Sequence, residues 1–167
     1  MVFPTRYARF LTFLSTFNEK LLKQNLTTIS PSKDCVSPSL NDAWIAGITD
    51  GVGCFTTSLL SNSSAFRIRY ILTQKWEANK FVLEGIMNLF SQNLAIGSVV
   101  PHSVSNVWEY RVNGVKNCKG LFSYFDKYSL HSKKKDSYYK WKTLHSRLEN
   151  GDHLNKSPAW IKKELLS

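Results

Sequence analysis

Cysteine is scarce in this chain. Three residues, Cys35, Cys54 and Cys118, stand far apart in 167, which excludes a disulfide framework and any Cys-x-x-Cys zinc site. Buried, reduced thiols are the expectation. Long apolar runs are missing too: Arg, Lys or Ser interrupts every candidate before the roughly 20 residues that a membrane-spanning helix needs. Acidic residues are few, 12 against 22 Lys and Arg, and the formal net charge is +10. That excess of positive charge points to an anionic partner, nucleic acid first and an acidic membrane second. His102, His131, His145 and His153 lack metal-ligand spacing and read as surface or capping residues. No motif supports Ser/His/Asp catalysis. What is present is 43% hydrophobic residues, enough for a core, in a length that suits one domain with extensions.

The charge is uneven. Residues 1–40 hold five basic and two acidic residues, 41–126 hold seven and six, and 127–167 hold ten and four. A nearly neutral body therefore lies between basic flanks. Lysines cluster at Lys133-Lys134-Lys135, Lys140-Trp141-Lys142 and Lys162-Lys163, with Tyr138, Tyr139 and Trp141 among them. Cations interleaved with rings can meet phosphates while the rings stack or pack.

Three regions follow: a basic extension and linker over 1–40, a body over 41–148 and a basic tail over 149–167. Residues 1–18 contain Arg6 and Arg9, aromatics and hydroxyls, and no acid before Glu19. Two readings stand: an organelle transit peptide, or an amphipathic helix with Phe10, Leu14, Phe17 and Leu21 at helical spacing. Residues 27–40 are rich in Ser, Thr and Pro and read as a linker.

Asn41 and Asp42 can cap a helix over 43–51. Ala43, Gly47 and Gly51 recur four apart and draw a stripe of small residues down one helix face. Such a stripe lets another helix approach closely, at a propensity cost of about 1 kcal/mol for each interior Gly. Gly53 ends the helix. A strand over Cys54–Leu60, a turn at Ser61–Ser64 and a strand from Phe66 follow; alternation puts Arg67 and Arg69 on one face of the latter. Helical spacing covers Glu77–Phe90. Residues 97–101 and 107–112 form a second hairpin, its turn near Ser105-Asn106. Two more helices cover Val115–Phe125 and Lys135–Leu148. The order predicts an α+β unit with an antiparallel sheet.

The run Trp44-Ile45-Ala46-Gly47-Ile48-Thr49-Asp50-Gly51-Val52-Gly53-Cys54-Phe55 resembles the signature of the LAGLIDADG homing-endonuclease family, the nine motif positions being Ile45 to Gly53. The resemblance extends over roughly 41–148 and takes in Thr73-Gln74-Lys75 and Ser132-Lys133-Lys134-Lys135 followed by Tyr138 and Trp141. It implies an αββαββα core whose antiparallel sheet forms half of a saddle over DNA. It also implies that two motif helices pack through their small residues, here Ala43, Gly47 and Gly51. The second copy would come from a homodimer partner or another protein subunit, because this chain has one motif. In the family the last acid of the motif binds a divalent metal, usually Mg²⁺, for phosphodiester hydrolysis; a strand-end Gln and a distal Lys, by position Gln74 and Lys133, complete the site.

The chain departs from that pattern at the centre. Val52 stands where the metal-binding acid belongs, and valine has no oxygen for Mg²⁺. Asp50 is retained, in a position that in the family finishes the helix. The vestigial candidates are Asp50, Gln74 and Lys133; no metal ligand set and no cofactor is expected, and Mg²⁺ belongs only to the reading of an active DNA endonuclease. The favoured expectation is a catalytically degenerate relative that binds nucleic acid, RNA rather than DNA, as an intron maturase or as an organellar ribosome-associated protein. Arg67, Arg69, Lys75, Arg111, Lys133, Lys134, Lys135, Lys140 and Lys142 are the expected contacts. The expected location is the mitochondrion, with the chloroplast as the other organelle.

Overall fold

The computed structural model describes residues 3–31, 36–59 and 66–154. Cys35, the turn at 61–64, Lys162-Lys163 and most of the basic tail lie outside the described residues. Helix α1 covers Pro4–Lys23, with proline in its first turn, where the missing N–H costs nothing. Helix α2 is Trp44–Val52. Strands β1, Gly53–Leu59, and β2, Phe66–Lys75, pair antiparallel. A single 3-10 turn, Glu77–Asn79, leads into α3, Lys80–Ser91. Strands β3, Gly97–Pro101, and β4, Val107–Asn113, form the second hairpin, and the sheet runs β1-β2-β4-β3. Helices α4, Val115–Lys119, α5, Phe122–Lys127, and α6, Lys134–Glu149, close the body. The α+β architecture with an antiparallel sheet is as the sequence predicts.

One face of the sheet carries the core. Ile68, Tyr70 and Leu72 of β2 and Tyr110 and Val112 of β4 are fully buried. They meet Ile45 and Ala46 of α2, Leu83, Ile86 and Phe90 of α3, Phe125 of α5 and Trp141 of α6. Phe55 of β1 is ringed by Tyr70, Phe125, Tyr138 and Trp141 at centroid distances of 5.2–5.4 Å. Buried Thr49 bonds the Tyr70 hydroxyl at 2.8 Å and its own helix at Ile45 O at 2.7 Å, so the motif helix is tied to the central strand. Asp42 starts that helix by accepting the Trp44 N–H at 2.9 Å. Gly53 ends it because the strand turns tightly beneath: a Cβ there would lie 2.6 Å from the Thr49 methyl.

Three expectations are corrected. Cys118 is buried as expected, but Cys54 is exposed, because its place in β1 turns it to the sheet face opposite the core. The helix expected over 115–125 is broken in two at Gly120. Bonds from Gly120 N to Asn117 O and from Leu121 N to Cys118 O close a tighter turn. The break has a packing cause, since any Cβ on Gly120 would collide with Asn93 O and with Ala95. His145 is no surface residue. It is fully buried, its Nε2 lies 2.6 Å from Val115 O, and its ring packs 4.7 Å from Phe122. Its neighbours on that line of α6, Tyr138, Trp141 and Leu148, are buried too. Residues 4–23 are helical, and Phe3 packs its ring 5.5 Å from Trp44.

Candidate nucleic-acid interface

Among the described residues, the helices contribute their buried side chains to the core on the first face of the sheet; the second face is the candidate interface. Strand alternation sends Arg67, Arg69, Ile71, Thr73 and Lys75 of β2 to this face, and the register adds Cys54, Thr56 and Ser58 from β1 and Glu109, Arg111 and Asn113 from β4. Ser98 and Val100 follow from β3. Arg67 and Lys75 are exposed, Arg69 and Arg111 half-buried. The structure thus brings four of the expected cations onto one surface. Buried Glu109 shares that face and forms an ion pair with Arg111. Thr56 Oγ1, Arg69 Nε and Arg111 Nε have little solvent access and no hydrogen-bond partner among the described residues. Thr56 and Arg69 are cross-strand partners.

At the lower end of α2 the motif residues separate. Val52 is 40% exposed. It lines an open cleft of about 510 Å³ together with Gly47, Ile48 and Gly51 of its own helix, Gln74 at the end of β2, and Phe3 and Arg6 of the N-terminal segment. Asp50 points elsewhere. Its carboxylate accepts the His131 N–H at 2.7 Å, the Ser132 N–H at 3.1 Å and the Ser132 hydroxyl at 2.5 Å. Burial pushes the Asp50 carboxyl up, but the Ser132 hydroxyl and the two backbone donors outweigh it and hold it below the ordinary aspartate value. Ser132 Oγ in turn accepts the Lys134 N–H at 3.2 Å, and Lys134 Nζ reaches Thr49 O at 3.1 Å. Asp50 therefore pins the start of α6, with its lysine run, to the end of α2. The three vestigial candidates have different surroundings: Gln74 lines the cleft with Val52, Asp50 bonds the 131–132 segment, and exposed Lys133, next in the chain, occupies the cap position of α6.

The remaining lysines differ in what they touch. Lys135 and Lys140 are exposed. Lys142 bridges both oxygens of Asp126 at 2.6–2.7 Å and lies over the Phe122 ring, an arrangement that ties α6 to α5. Sequence reasoning missed the Asp50–Ser132 clamp and the reach of Lys134. The signal for the first is faint: a Ser two residues ahead of a helix is a common cap, and nothing local says that it will meet an acid 82 residues away. Ala43, Gly47 and Gly51 are exposed, and a Cβ at Gly47 or Gly51 would meet nothing within 4 Å. Phe3 and Arg6 of the N-terminal segment line the same cleft as Gly47 and Gly51.

The family model described as LAGLIDADG endonuclease matches residues 45–145. The chain is 30% identical over 154 residues to "Probable intron-encoded endonuclease 4" of Neurospora crassa, which takes in 89% of this chain and 26% of that protein. It is 30% identical over 131 residues to "Probable intron-encoded endonuclease Cox1-I1b" of Schizosaccharomyces pombe, 78% of this chain and 32% of that one. The chain spans about a quarter to a third of the length of these curated relatives. Among solved structures, the homing endonuclease I-TnaI superimposes with a TM-score of 0.64 at 21% identity, over 78% of this chain and 88% of its own. The meganuclease I-AabMI, solved bound to uncleaved DNA, gives 0.63 at 26% identity, over 74% of this chain and 42% of its own.

Proposed function

Because the chain belongs to the LAGLIDADG endonuclease family, we propose that it is a unit of that family that binds nucleic acid, RNA by preference, and has lost its own cleavage centre. The observation that carries this reading is the contrast between two surfaces. The open sheet face carries Arg67, Arg69, Lys75 and Arg111, cations suited to phosphates. The motif's end presents Val52, an isopropyl group, to an open cleft. Asp50 offers no replacement, since three donors already hold its two oxygens. No group of three or more His, Cys, Asp or Glu side chains suited to a metal ion occurs among the described residues. The residues present do not fit the Mg²⁺ that the family implies.

RNA is favoured because a surface that binds without cutting suits an intron transcript, and the similar proteins are named for introns. Relatives named for cox1 and ND4 introns support a mitochondrial origin, and the mitochondrion is the proposed site of action. The exposed Ala43–Gly47–Gly51 stripe takes a second unit, a homodimer copy or another subunit. A second reading, an active DNA endonuclease whose partner supplies the acids, draws on the DNA-bound state of I-AabMI.

Competition separates the two. Labelled intron RNA held by the purified protein should resist displacement by duplex DNA of the same sequence, and added Mg²⁺ should cut neither. Cleavage of both DNA strands at a defined site, abolished by EDTA, overturns the proposal.

A further inference from the structure

Helix α1 lies outside the region that the family model matches, residues 45–145. Arg6, Arg9, Phe13, Phe17 and Lys20 follow one another at steps of three or four residues, which puts them on one helix face. All five are exposed, Phe13 by 65%. Phe13 and Phe17 stack on one another, centroids 6.0 Å apart and planes 16° from parallel. No acid interrupts the line; Glu19, the helix's one carboxylate, lies on another side.

The helix is anchored where the sheet's cationic face ends. Thr5 donates to Asn79 Oδ1 at 3.0 Å, and Asn79 donates to Lys75 O at 2.8 Å. Lys75 belongs to the open sheet face, and Arg6 lines the cleft beside Gln74. The stripe therefore begins near the Lys75 end of β2 and spans Arg6 to Lys20, about 21 Å of helix. Building on the nucleic-acid reading above, we infer that this face of α1 binds unpaired nucleotides that continue from the segment held on the sheet: Arg6, Arg9 and Lys20 take phosphates and the Phe13–Phe17 pair stacks bases. Rings set among cations suit a single strand, because every unpaired base offers a π-face. A lipid surface would need a continuous apolar face. Leu14 is instead buried and Phe10 and Leu21 half-buried, so the exposed apolar residues are split to either side of that line, Phe13 and Phe17 on one and Leu11 and Leu22 on the other.

The test uses the full chain and two fluorescein-labelled RNAs: a stem–loop, and the same stem–loop with a single-stranded uridine tail. The tail should raise affinity. Phe13→Ala/Phe17→Ala should weaken binding of the tailed RNA roughly tenfold and leave the tailless RNA unchanged. Arg9→Gln/Lys20→Gln should lower the slope of log K against log salt on the tailed RNA by about 1.4, the share of two single-strand phosphate contacts. These substitutions are on exposed side chains, and far-UV circular dichroism checks the fold. A tail that adds no affinity, or a Phe pair that affects both RNAs alike, overturns the inference. So does a loss of sedimentation with phosphatidylglycerol–phosphatidylcholine vesicles in the Phe variant while tail binding persists. The sheet is tested apart: Arg67→Gln/Arg69→Gln should weaken both RNAs, and no change there overturns the sheet reading instead.

Discussion

Gly47 separates what the isolated chain needs from what an assembly needs. In this structure a methyl group at Gly47 would meet nothing within 4 Å, so nothing in the chain's own packing opposes Gly47→Ala. The substitution should stabilise α2 by up to about 1 kcal/mol, the helix-propensity difference between the two residues. Because Ile45, Ala46 and Thr49 of the same helix are buried against the body, that gain should reach global unfolding. In an assembly that uses the stripe, the added side chain stands where a partner's backbone must come. Gly47→Leu should overpack that contact at a cost of about 1–3 kcal/mol, weakening association roughly five- to 150-fold. Urea unfolding of dilute protein reads the first effect, and sedimentation velocity across a concentration series reads the second. Destabilisation of the dilute chain by Gly47→Ala, or full assembly of Gly47→Leu, refutes the reasoning.

Asp50→Asn should cost about 1–2 kcal/mol near neutral pH, discounted for partial exposure, because a charge-assisted clamp becomes a neutral one. The folded state holds the Asp50 carboxyl below its ordinary value, so its stabilising effect is complete above roughly pH 4 and fades as pH falls through the lowered value. The gap between the two proteins should close in acid; a gap that widens there contradicts the clamp. Cys54 sits exposed on the open sheet face, whereas burial pushes the Cys118 thiol up to about 12 and leaves it inert. Saturating nucleic acid should slow alkylation of Cys54, followed by peptide mass spectrometry, and an unchanged rate moves the binding face elsewhere. Val52→Asp puts a carboxylate into the cleft and should create Mg²⁺ binding measurable by titration calorimetry; equal heats from both proteins argue against the motif alignment.

Period was the part of the fold most legible in the sequence. The alternation of Ile68, Tyr70 and Leu72 with Arg67, Arg69 and Ile71 survives as the two faces of β2, since a strand with one covered face has no other way to bury its apolar set. The break at Gly120 was not legible, because its cause lies in a distant loop at Asn93 and Ala95. His145 was legible and misread. Its spacing from Tyr138, Trp141 and Leu148 places it on the inner line of α6, and its buried position follows from that line rather than from the chemistry of imidazole.

The site divides along the same principle. The sheet cations were readable because each sits at a known phase of a strand. The grouping of Asp50, Gln74 and Lys133 comes from the family resemblance; in this chain Gln74 lines the cleft with Val52 while Asp50 bonds the 131–132 segment. Asp50 and Val52 are two residues apart, about 200° around a helix, and that angle gives them different work. At position 50 a carboxylate meets three donors from the 131–132 segment and fixes where α6 begins. At position 52 the side chain is 40% exposed and lines the cleft. Position 50 is thus tied into the fold by hydrogen bonds, whereas position 52, a valine here, borders the cleft. A cleavage centre can be lost at position 52 while the sheet face, the α6 lysines and the α2 stripe stay in place.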